Sequence, residues 1–265
     1  MTRSGFRQTA PMDRHRHLAL LIKEGDRLAS MSPDSLDAPV PAVEGWTVEK
    51  VVRHTGRVHR WVTSMLQAGP DGTPAEVAPL PKGPACLPAY RDALDLVVHQ
   101  LKRLEGDEPT QTFTGVQPSR FWHRRQAQEV SIHRMDAADA VHAAGGDEPD
   151  AFAPDQAADG IDEWARFFLA IRWNLANGPF PEDLTGRTIH IHGTDDPAPD
   201  DGAEWLLTFT GEGVEVEATH AKGDVALRGP SQDLLLALWR RRPLDTLDIV
   251  GDRDLAVRVL DIARF

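Results

Sequence analysis

Residues 121–144, FWHRRQAQEVSIHRMDAADAVHAA, decide how this chain is read. As a helix at about 100° per residue, the stretch puts His133 about 40° from Glu129 and Asp136 about 20° from it on the other side. A carboxylate, an imidazole and a second carboxylate therefore share one stripe. An E-x-x-x-H pair alone is a weak signal, because solvated helices often carry one for solubility. The question is whether another helix supplies a partner.

Helix-period patterning dominates the first 175 residues. HLALLIKEGDRLASM (17–31) reads as a first helix stopped by Pro33, and TVEKVVRHTGRVHRWVTSML (47–66) as a second, with Thr47 as its N-cap. LPAYRDALDLVVHQLKRLEG (87–106) is the third, residues 119–144 the fourth, and QAADGIDEWARFFLAIRWNLA (156–176) a fifth. This is the pattern of an up-and-down helical bundle. On the second helix, Thr47, Val51, Val58, Trp61 and Met65 fall within about 60° of His54, so His54 is expected on a buried apolar stripe and His59 on another face.

Bundles build metal sites from Glu and His projecting inward from facing helices. His54, Glu129 and His133 form such a set, and three protein ligands leave a position open, as in catalytic zinc sites. Zinc is the first choice, although the donors also suit Fe(II), Ni or Mn. Asp136 is placed to accept the second ring proton of a metal-bound histidine, and Arg125 lies on the same stripe.

Composition narrows the function. The net charge is -12, with 41 acidic and 29 basic residues, which disfavours nucleic acid and anionic membrane surfaces as partners. No apolar run suggests a membrane span, and the basic N-terminus, residues 1–17, lacks the apolar core of a secretory signal, so a cytoplasmic location is expected. The single cysteine, Cys86, excludes an intrachain disulfide and a cysteine-rich zinc site. It reads as a packing residue near a helix start rather than as a nucleophile.

Residues 68–86, AGPDGTPAEVAPLPKGPAC, form a long loop with five prolines that could fold over a site. After residue 185 the grammar changes. TIHIHG (188–193), EWLLTFTGEGVEVEA (204–218), DVALRG (224–229) and LDIV (247–250) read as strands. SQDLLLALWRRR (231–242), with Ser231 as N-cap, and DRDLAVRVLDIAR (252–264) read as helices. The expected architecture is α+β with two domains, a metal-binding bundle over 13–178 and a smaller α+β domain over 185–265.

Three blocks, EGWTVEKVVRHTGRVHRW (44–61), FWHRRQAQEVSIHRMDAADA (121–140) and LRGPSQDLLLALWRRRPLDTLDIVGDRDLAVRVL (227–260), resemble the mycothiol-dependent maleylpyruvate isomerase family. The resemblance implies a DinB-like four-helix bundle with metal ligands at His54, Glu129 and His133, joined to a small α+β domain. It also implies mycothiol as a low-molecular-weight thiol cosubstrate, activated by the metal for cis-trans isomerisation or S-transfer to a small molecule. Arg124, Arg125 and Arg228 are the candidate cations for a carboxylate substrate. A metal-dependent hydrolase using the same open position, or a non-catalytic metal-binding protein, are the alternatives. The second substrate and the oligomeric state stay open.

Overall fold

The computed structural model describes residues 12–199 and 202–265, so most of the basic N-terminal stretch lies outside the described residues. The chain divides into two compact units, with the boundary between Asp150 and Ala151. The first holds four long helices: α1 (Arg14–Ala29), α2 (Val48–Ala68), α3 (Cys86–Lys102) and α4 (Arg120–Ala143). Helix α1 packs chiefly on α4 and α2 on α3, while α2–α4 and α1–α3 contacts complete the bundle. A short hairpin absent from the sequence reading, β1 (Pro109–Thr112) with β2 (Gly115–Pro118), joins α3 to α4.

Local chemistry explains α2. The Thr47 hydroxyl accepts from the Lys50 N–H, satisfying one orphan donor of the first turn. Val48, Val52, Thr55, His59 and Val62 recur at alternating spacings of four and three and are buried. Gly56 lies on the same side, where a Cβ would stand 2.4 Å from Leu80 Cδ2. The missing side chain admits buried Leu80, and with it the 69–85 loop, against the helix. Arg53 Nε donates to the Leu80 carbonyl at 3.0 Å, and the Gly83 N–H donates to Glu49 Oε1 at 3.2 Å. The proline-rich loop is thus fixed along α2.

The second unit begins with α5 (Pro154–Glu163), which runs on through a π-helical stretch, Trp164–Trp173, into a last turn, α6 (Asn174–Asn177). This corrects the expected domain limit at 178, because the fifth helix belongs to the C-terminal unit rather than to the bundle. Its contacts give the reason: Trp205 Nε1 donates to Asp162 Oδ1 at 3.0 Å, and Arg166 Nη1 to the Val216 carbonyl at 2.8 Å. The sheet has the order β5-β4-β3-β6-β7, from β3 (Thr188–Gly193), β4 (Glu204–Phe209), β5 (Val214–Glu217), β6 (Val225–Gly229) and β7 (Asp248–Gly251). All neighbours are antiparallel except β3 and β6. Helices α7 (Ser231–Leu238) and α8 (Arg253–Ile262) complete the unit. Helix α5 packs on α7, which also contacts β3 and β6. Ser231 is the first residue of α7 rather than its cap, and both its N–H and its hydroxyl donate to Asp195.

Candidate metal centre

Helices α2 and α4 bring His54, Glu129 and His133 together. His54 Nε2 is 3.2 Å and His133 Nε2 is 3.3 Å from the same oxygen, Glu129 Oε1. One donor atom from each residue lies within 4.8 Å of the other two. Ligand atoms about 2.0–2.2 Å from a tetrahedral zinc stand about 3.3–3.6 Å apart, so the set fits such an ion with small adjustments. The donor chemistry fits as well: two imidazoles and a carboxylate suit zinc and the neighbouring first-row ions.

Surrounding groups fix the orientation of each donor. Asp136 Oδ2 lies 3.0 Å from His133 Nδ1, leaving Nε2 turned toward Glu129. Arg125 Nη2 donates to Glu129 Oε2 at 3.0 Å. Arg125 therefore braces the carboxylate. Burial opposes the charge on Glu129, but His133, His54 and Arg125 together hold its carboxyl well below the usual range. Burial likewise opposes a charged His133, yet hydrogen bonds to Asp136 and Glu129 raise it to about 9.

His54 departs from expectation. Its side chain is 41% exposed, against 18% for Glu129 and 11% for His133. The core histidine of α2 is instead His59, fully buried, with Nδ1 2.7 Å from Gln126 Oε1. Burial pushes His59 down to about 4. The misreading has a physical cause. Val51 and Met65 of the His54 stripe do sit in the core, but Val58 and Trp61 pack against its edge, where with His54 they line a cavity of about 560 Å³. The cavity is completed by Arg57 and by Pro74, Ala75, Glu76 and Val77 of the proline-rich loop.

Trp46, which the sequence reading did not single out, covers the two imidazoles. Its ring stacks on His133 at 5.8 Å and 12°, and tilts against His54 at 5.1 Å. It immediately precedes the Thr47 cap, a place where apolar residues commonly fold back on a helix start. Arg57, three residues after His54, was legible from the same helical spacing.

Arg124 is part-buried on α4. Arg228 lies in the other unit, on β6, with Nη1 3.3 Å from Asp248 Oδ2. Cys86 is buried at the start of α3, where burial raises its thiol, in keeping with a packing role. Among the described residues, no helix is long and apolar enough to cross a membrane.

Residues 18–138 match the model of the mycothiol maleylpyruvate isomerase N-terminal domain, and residues 155–258 that of its C-terminal domain. The chain belongs to this family. Two solved structures share its fold, mycothiol-dependent maleylpyruvate isomerase and an alanine variant of that enzyme. Each is 13% identical, with a TM-score of 0.62 over 92% of this chain and 97% of the other. No curated protein sequence matches the chain. The α+β two-domain architecture expected from the sequence is the one found, and the domain matches place their break within the same short segment as the two compact units.

Proposed function

We propose that this chain is a metal-dependent, thiol-using enzyme that acts as a mycothiol-dependent isomerase or S-transferase. One observation carries the reading: His54, part of a three-donor set with room for a further ligand, also lines a cavity of about 560 Å³. His54, Glu129 and His133 would hold the ion. Bound there, it would supply a thiol deprotonated at neutral pH, and the thiolate is the nucleophilic form.

The protein's own residues supply position and shape. Asp136 keeps the His133 tautomer with Nε2 available as a donor, and Arg125 orients Glu129, whose charge is held chiefly by His133 and His54. Trp46 screens one side of the imidazole pair from water. Val58 and Trp61 give the cavity an apolar wall, and Arg57 gives it a cation suited to a substrate carboxylate. Thiolate addition to an activated double bond, rotation and departure give cis-trans isomerisation. Addition breaks the π bond and moves its pair onto the conjugated carbonyl: return of the pair expels the thiolate, whereas protonation of the enolate carbon with the C–S bond kept gives S-transfer.

The test is turnover by zinc-loaded full chain with mycothiol and maleylpyruvate. Formation of the trans isomer or of a stable thioether, abolished when either thiol or metal is withheld, is the expected result. Turnover of an ester or amide without thiol would replace this reading with the hydrolase.

A further inference from the structure

A second cluster of metal-binding side chains lies wholly within the C-terminal unit. His190 and His192 alternate along β3 and so share one face of the sheet. Glu204 on β4 is the cross-strand partner of His192 in the antiparallel register and sits on that face with them. His220 arrives from the segment 218–224, which connects β5 to β6. Those strands are separated by β4 and β3, so the segment must cross the sheet, a distance of about 14 Å at about 4.8 Å per strand. Glu217, where β5 ends, is level with Leu206, the partner of His190, and the crossing therefore runs over His190. Gly223 makes the close approach possible: a Cβ there would stand 2.9 Å from the His190 backbone nitrogen.

The four side chains converge. His190 Nε2 is 2.9 Å and His220 Nδ1 2.6 Å from Glu204 Oε2, and His192 Nδ1 is 3.0 Å from Glu204 Oε1. The imidazole centroids form a nearly equilateral triangle, at 5.6 Å, 5.3 Å and 5.6 Å. All four donor atoms lie within 4.8 Å of one another. Hydrogen bonding alone does not account for this arrangement, because His192 Nδ1 is buried and, despite its proximity to Glu204, makes no aligned hydrogen bond. The cation of Arg228, beside His192 in the register, is engaged by Asp248 on the β7 side.

We infer that His190, His192, Glu204 and His220 form a second divalent-metal site that clamps the 218–224 crossing onto the sheet. Three imidazoles and one carboxylate suit zinc and, less selectively, cobalt or nickel. Four protein ligands close the tetrahedral shell, so this site is structural, unlike the three-donor set in the bundle.

The experiment uses the full chain with any affinity tag removed and metal stripped, then titrated with zinc. His54→Ala/His133→Ala isolates the second site and is expected to retain one equivalent. Adding His220→Ala, a change at an exposed loop side chain, is expected to weaken that binding at least about tenfold while leaving the circular dichroism unchanged. If the double variant does not fold, wild type is compared with His220→Ala, in which the second of two zinc equivalents is expected to bind at least about tenfold more weakly. Folded His54→Ala/His133→Ala that takes up no zinc, or zinc binding unaltered by His220→Ala, would overturn the inference.

Discussion

His133 Nδ1 lies 3.0 Å from the buried carboxylate of Asp136, one turn further along α4, and this contact leaves Nε2 3.3 Å from Glu129. A carboxylate in this position sets the tautomer and raises the basicity of a histidine ligand. Asp136→Asn should therefore lower zinc affinity at the bundle site about 10- to 100-fold. Competition with a chromophoric chelator measures this, and unchanged affinity in a folded variant would remove Asp136 from the account.

The same contact predicts a pH dependence. In metal-stripped protein His133 is raised to about 9 from its ordinary 6.5. Because the folded value is the higher one, its contribution to stability is complete below about pH 6.5 and is lost as pH rises through about 9. Metal must displace that proton, so zinc affinity should climb with pH up to about 9. Histidine NMR titration of stripped protein, with Asp136→Asn as the control, follows the proton directly.

His59 behaves in the opposite sense. It is buried and held near 4, below its unfolded value of 6.5. The unfolded chain takes up this proton first, so stability is complete above about pH 6.5 and falls as pH drops toward about 4, by about 3 kcal/mol in total. Denaturation at a series of pH values should show this slope, and His59→Leu should flatten it by about one proton.

How much of this was legible in the residues differs between the two histidines of α2. The helix, its Thr47 cap and the pairing of His54 with Glu129 and His133 follow from helical spacing and residue chemistry. Burial did not, because one apolar stripe runs here from the helix–helix core to the wall of a cavity, and spacing alone does not mark where the change occurs. Val58 and Trp61 face the cavity, and only the placement of the 69–85 loop reveals it. The placement of the fifth helix is hidden for a similar reason: periodicity shows that a helix has an apolar face, while the sheet contacts of Asp162 and Arg166 decide where it packs. His190 and His192 were visible as an alternating pair in TIHIHG, but His220 joins them through strand order, which no local pattern encodes.

The ion pair that ties α1 to α4 gives a stability prediction. Glu24 and Arg134 are both buried, and Arg134 Nε donates to Glu24 Oε2 at 2.6 Å. Glu24→Ala leaves a buried guanidinium without this carboxylate and should cost about 3–5 kcal/mol. Urea denaturation measures it. A loss below about 1 kcal/mol would mean that the pair contributes no more than an exposed surface ion pair.

Thiol titration of the cobalt-loaded full chain asks whether the ion held by His54, Glu129 and His133 binds the thiolate. A thiolate bound to that ion is expected to give a sulfur-to-cobalt charge-transfer band that saturates with mycothiol at one thiol per chain and is absent from His54→Ala/His133→Ala. A cobalt spectrum that shows the metal bound at the bundle site but is unchanged by saturating thiol would contradict it.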